Sequence, residues 1–179
     1  MKHDHEPRPR RWSVTDDATG GGLEIAGLEW GAGNEIVVLL HANGFCAATW
    51  DEVARRMAGR YRVIALDARG HGASSAPPPP GAYEWCYLVA DVDQVVSALL
   101  AEDGGSRVAL CAGSSLGGVI AATLAGERPG VLARVVMLDP PVLPDDVTRR
   151  TLGLPRPDGG PIDIVRQHWR IQHHHTRQN

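Results

Sequence analysis

The stretch "ALCAGSSLGG", Ala109 to Gly118, sets a serine between two glycines where an apolar run meets a second run of small residues. As a bare pattern GxSxG is weak, since with Gly and Ser each at about 7% of residues it turns up by chance in roughly one chain in fifteen of this length. Its surroundings decide the reading. "RVALCAG" has the make-up of a buried strand ending at Gly113, and Leu116 to Ala125 has that of a helix. Ser115 therefore falls at the sharp turn between them, where a strained backbone lifts a hydroxyl above a sheet. Side chains two residues to either side would collide, and Gly113 and Gly117 remove them. A frame shifted to Ser114 would put Ala112 and the bulky Leu116 at the crowded positions, so Ser115 is the candidate nucleophile. The turn also aims the first amides of a helix, Leu116 among them, at the reacting centre, where the positive end of the helix favours an oxyanion. The bland alternative is a glycine turn that only joins strand to helix.

The neighbouring sequence predicts the sheet that such a turn needs. "IVVLLH" from Ile36 and "YRVIALD" at Tyr61–Asp67 are aliphatic runs suited to strands buried on both faces, and "RVVMLD" at Arg134–Asp139 repeats the pattern. Between them, Thr49 and Glu52 suggest a capping box opening a helix over Trp50–Ala58 that ends at Gly59. Leu88, Val92, Val95, Val96 and Leu99 line one face of a second helix, from about Trp85 to Ala101. Trp12–Val14 and Leu23–Trp30 read as two short strands around "DDATGGG", and residues 1–11 as a disordered arm. Strands alternating with helices predict an α/β fold, a mostly parallel sheet with helices on both faces.

Composition bounds the function. At 179 residues and 19.2 kDa the chain has room for one sizeable core. A formal net charge of −3 offers no basic footprint for nucleic acid. No apolar run reaches the roughly 18 residues of a membrane span, and the start "MKHDHEPRPRRW" is too charged and proline-broken for a signal peptide, so a cytoplasmic protein without a membrane partner is expected. Cys46, Cys86 and Cys111 are odd in number and lie in no CxxC pairing, which argues for buried free thiols and against a disulfide framework or a zinc site. The tail triplet His173–His175 makes no preformed metal site either. No metal and no cofactor are expected.

A second oxyanion donor should come from a loop beside the nucleophile, and "LLHANGFCAATW" at Leu39–Trp50 follows a buried strand with a small-residue turn. The order "LLHANGF", "DARGHGAS", "AGSSLGG" resembles the α/β-hydrolase superfamily, in its serine-nucleophile, esterase- and lipase-like branch, over roughly Trp12 to Pro144. The resemblance implies that the Asn43 amide is the second donor, with Ala42 and Gly44 keeping the loop close to substrate; Ala42 stands where glycine is more usual. It implies that His41 braces this loop, with a role as general base the less favoured alternative, and His71 is weaker still as a base. Asp67 and Arg69 read as charges that fix the loop. Asp139 in "VVMLDPPVLP" matches the sixth-strand position at which some members carry the catalytic acid, against the alternative of a turn aspartate before two prolines.

The histidine of the triad is the gap. It would follow two further strands, and the residues after Asp139 hold only a proline-rich connector, an amphipathic piece from Ile162 to Ile171 read as the first helix of a lid, and the tail. His168 is the candidate there, against a solvated helix face. The expectation is a partial hydrolase core over residues 12–144, with the start of a lid and a tail over 145–179. Its sixth strand would then be an uncovered edge inviting self-association.

Three functions follow from these readings. One is a serine hydrolase of small ester, lactone or thioester substrates acting through an acyl-enzyme. Another is perhydrolysis or carbon–carbon bond hydrolysis at the same serine. The third is a catalytically silent fragment or binding module. Epoxide hydrolases and dehalogenases of the superfamily use a carboxylate nucleophile, which Ser115 opposes. A dinucleotide site is disfavoured because "HANGF" holds no GxGxxG and "AGSSLGG" no phosphate-loop lysine.

Overall fold

The computed structural model describes residues 6–78 and 82–141. The aliphatic runs do form strands buried on both faces. Strand β3 (Ile36–Leu40) has no exposed residue, and its alternation sorts Ile36, Val38 and Leu40 to one face and Val37 and Leu39 to the other. Strand β4 (Arg62–Leu66) pairs with it in parallel and splits in the same way, Ile64 and Leu66 against Val63 and Ala65. Strands β5 (Leu110–Ser114) and β6 (Val135–Leu138) continue the parallel run on the other side of β3. Strands β1 (Arg8–Thr15) and β2 (Gly22–Trp30) form an antiparallel hairpin that joins the sheet through β2 against β4. The order is β1-β2-β4-β3-β5-β6, a mixed sheet whose four later strands are parallel.

Helices cover both faces, as expected. Helix α2 (Trp85–Asp103) contributes Leu88, Val92, Val95, Val96 and Leu99, and helix α3 (Leu116–Glu127) contributes Ile120, Ala121 and Leu124, to the larger core. A 3₁₀ turn (Ala47–Trp50) and the short helix α1 (Asp51–Met57) close the opposite face with Ala47, Trp50 and Ala54. At about 1.5–3 kcal/mol for each large aliphatic side chain, these two layers supply the main driving force for the fold.

Four expectations need correction. The strand β1 begins inside the stretch read as a disordered arm, because Arg8 and Arg10 both pair with Glu29 on β2, Arg10 also reaches Glu102 at the end of α2, and Arg11 pairs with Glu24. The Thr49–Glu52 capping box does not form: the Thr49 hydroxyl donates to the Cys46 carbonyl at 2.8 Å, and Glu52 binds Arg56 one turn on. The first turn is 3₁₀, and the α-helix proper starts at Asp51. Of the three thiols only Cys111 is buried, which pushes its pKa up to about 12, while Cys46 is half-buried and Cys86 exposed. Among the described residues β6 pairs on one side only, with Val136, Met137 and Leu138 exposed. The expected lid helix at 162–171 lies outside the described residues, as do His168 and the tail triplet.

Candidate active site

The strand order sets the location. From β3 the chain crosses first to β4 and later, by way of α2, to β5 on the opposite side, so the segments leaving the carboxyl ends of β3 and β5 diverge around a crevice. Residues 41–45 follow the carboxyl end of β3, and Ser115 follows that of β5.

Ser115 has φ 47° and ψ −110°, a strained conformation for a residue with a side chain. Its N–H donates to the Leu138 carbonyl of β6 at 2.9 Å, and its carbonyl accepts from the Gly118 and Val119 amides of α3, so the bend is held on both sides. The close approaches inferred from the glycines are present. A Cβ on Gly113 would lie 2.1 Å from the carbonyl carbon of Gly117, and one on Gly117 would lie 2.4 Å from the Leu40 carbonyl oxygen. The second contact also shows that α3 starts against the end of β3. Ser115 is half-buried, and Ser114, with ordinary backbone, is the last residue of β5.

After β3 the chain turns at Ala42–Phe45, closed by the Phe45 amide on the Ala42 carbonyl at 3.1 Å. Gly44 has φ 81°, which only glycine adopts without strain, and Asn43 is not left-handed, as a type II turn requires. Among the described residues no carbonyl or side chain takes the N–H of Asn43 or of Leu116, the first residue of α3. Ala42 and Phe45 line an open cleft of about 240 Å³ with His41, Thr49, Trp50, Ser114 and Leu138. Phe45 is 58% exposed there, and no sequence pattern marked it or Leu138 as cleft-lining.

Asp139 follows the β6 residue that pairs with Ser114, so the register brings it to the same edge of the sheet as Ser115. It is exposed and has φ 47°, the only described non-glycine residue besides Ser115 with positive φ. Asp67 and Arg69 are structural, as read. The Asp67 carboxylate accepts from the Ala47 amide at 2.6 Å and the Ala73 amide at 2.9 Å, which ties the 3₁₀ turn to the loop after β4.

Both described histidines are committed to backbone. Nε2 of His41 accepts from the Ala68 amide at 2.9 Å, and Nδ1–H donates to the Ala42 carbonyl at 2.8 Å, the bracing role that the motif suggested. Burial holds the His41 pKa below the ordinary histidine range, so the folded chain keeps this ring neutral. An unfolded histidine takes up a proton below about pH 6.5. The unfolded state then binds more protons than the folded one, and stability must fall as the pH drops through that value, by at most about 1.4 kcal/mol per pH unit. Urea midpoints between pH 7 and 5 should therefore slope downward in the wild-type chain and more gently in His41→Gln, which removes this titration.

The comparisons with known proteins agree with this fold. A family model described as "Alpha/beta hydrolase family" matches residues 37–176. Epoxide hydrolase 4 of Mus musculus is 31% identical over 109 residues, covering 61% of this chain and 29% of that protein. The non-heme chloroperoxidase of Streptomyces lividans is 31% identical over 151 residues, covering 82% of this chain and 50% of that one. Among solved structures, a thermophilic esterase from Thermogutta terrifontis superposes with a TM-score of 0.66 at 26% identity, covering 79% of this chain and 51% of the esterase. The chain thus spans about half or less of the length of these relatives. Among the described residues no helix is long and apolar enough to cross a membrane.

Proposed function

The chain belongs to the alpha/beta hydrolase family, and from that premise we propose that it carries the nucleophile and oxyanion elements of a serine hydrolase acting on small ester, lactone or thioester substrates. The observation that carries this reading is Ser115 at φ 47° between two glycines that admit no Cβ. In the proposed reaction its Oγ attacks the acyl carbon as a histidine base takes the hydroxyl proton, the Asn43 and Leu116 amides receive the charge that develops on the carbonyl oxygen, and the base returns the proton to the leaving oxygen or sulfur. The leaving alcohol or thiol departs, and water then releases the acid from the acyl-enzyme. Asp139 would orient the base, being delivered by β6 to the edge of the sheet where β5 delivers Ser115. Neither described histidine is free to be that base, since each has both ring nitrogens engaged. Among the relatives is an epoxide hydrolase, a chemistry that calls for a carboxylate where this chain has a serine hydroxyl.

The committed histidines favour a second reading, in which this chain holds an acyl ligand without turning it over. One experiment separates the two. A fluorophosphonate reacts quickly only with an activated serine, so labelling of the wild-type chain that falls to background in Ser115→Ala supports the hydrolase. A wild-type chain no faster than Ser115→Ala would leave the silent module. Equal fast labelling of both would place the nucleophile elsewhere.

A further inference from the structure

One side chain of the loop after β4, that of His71, reaches Asn43 and Gly44 in the turn after β3. Nδ1 of His71 lies 3.1 Å from the Arg69 carbonyl, which can only accept, so Nδ1 carries the proton. In the neutral ring Nε2 is then a bare acceptor, and the Gly44 N–H donates to it at 3.1 Å. Oδ1 of Asn43 is placed 3.2 Å from the same nitrogen, and since an amide oxygen cannot donate, the proton on Nδ1 calls for this amide to be turned so that its NH₂ faces Nε2.

We propose that His71 is a positioning residue for the oxyanion turn, acting through the Asn43–Gly44 peptide; this rests on the serine-hydrolase reading above. Glycine at the third position makes that peptide easy to rotate, because exchange between type II and type I turns requires little else. An acceptor on the Gly44 N–H holds one orientation, and with it the turn whose Asn43 amide must already face the oxyanion before charge appears. The neighbouring charged and titratable groups are themselves fixed. His41 stands with its ring centroid 5.0 Å away and is neutral, Asp67 is held by two backbone amides, and Arg69 turns its guanidinium to Asp91 and Asp16. Of these three neighbours only Arg69 is hydrogen-bonded to His71, and through its backbone carbonyl.

His71→Gln places an amide oxygen near the Nε2 position and His71→Phe keeps a ring of similar size with no acceptor. Fluorophosphonate labelling of Ser115 should stay within about twofold of wild type in His71→Gln and fall about tenfold in His71→Phe, the size of one well-made hydrogen bond. The Gly44 amide, followed by hydrogen exchange in the nitrogen-15 spectrum, should exchange about tenfold faster in His71→Phe and not in His71→Gln. Equal labelling in all three chains, or equal loss in both variants, overturns the proposal. If the wild-type chain does not label at all, the hydrolase reading fails and the Gly44 exchange alone decides: protection lost only in His71→Phe upholds the link between the loops, and the same protection in all three refutes it.

Discussion

Gly113→Ala is expected to destabilise the chain by about 3 kcal/mol or more, at the upper end of what overpacking does, because nothing near the new methyl group can yield cheaply. The atoms it would meet at 2.1, 2.2 and 2.4 Å are the backbone of Gly117 and Gly118, not the ends of flexible side chains. Relief requires the first turn of α3 to move off β5, and that turn holds Ser115, the Leu116 amide and the contact with Leu40. Stability and labelling should therefore fail together. Gly126→Ala in the same helix provides the opposite sign: a Cβ there meets nothing within 4 Å, so the better helix former should stabilise by up to about 1 kcal/mol. Urea unfolding of the two variants checks both, and a Gly113→Ala chain as stable as wild type would mean that strand and helix do not approach this closely.

What could be read from the sequence was what depends on neighbours in sequence. The aliphatic runs of β3, β4 and β5 announce themselves because a strand covered on both faces needs no alternation, and the sharp turn at Ser115 announces itself because its steric conditions all fall within five residues. The strand β1 did not, since "RPRR" looks like a solvated arm until its partners are known. Those partners, Glu24, Glu29 and Glu102, lie 13 to 92 residues away. Glu29 is buried and stays ionised because Arg8, Arg10 and Arg62 converge on it, an arrangement no local pattern encodes. Thr49 and Glu52 satisfied the capping pattern and were diverted by competing partners one turn away on either side, which a spacing rule cannot weigh.

The site divides along the same line. Ser115 and the Asn43 turn are each local, and the sheet brings their strands together through the pairing of Leu40 with Gly113. His71 was visible only as a weak candidate base. Its contacts with Gly44 and Asn43 span 27 and 28 residues and exist only because β3 and β4 are neighbours. The role weighed for His71 from sequence was proton transfer, and the role proposed from its contacts is that of a strut.

The largest electrostatic effect should come from Arg69→Met, expected to cost about 3–5 kcal/mol, the usual result of removing one partner from a buried ion pair. Arg69 is fully buried. It grips both oxygens of Asp91 at 2.6 Å, reaches Asp16 at 2.9 Å and donates to the Ala82 carbonyl at 2.8 Å, so it ties α2 and the β1–β2 turn to the loop after β4. Burial pushes the Asp91 carboxyl above the usual carboxylate range, and the guanidinium opposes that shift. Without Arg69 the opposition is gone and Asp91 rises further. A carboxyl whose folded pKa lies above its unfolded value contributes less stability as pH climbs from the unfolded value through the folded one, so the variant should be worse at pH 7 than at pH 4. Asp16 keeps the Thr19 hydroxyl and the Ala18 amide as partners and should matter less. It follows that Arg69→Met combined with Asp91→Leu, which removes both charges, should recover much of the loss, whereas a loss unchanged in the double variant and flat with pH would assign Arg69 to packing alone. Because the Arg69 carbonyl also takes the His71 proton, the single variant should further speed Gly44 amide exchange, and the double variant should restore it only as far as the loop returns to its place.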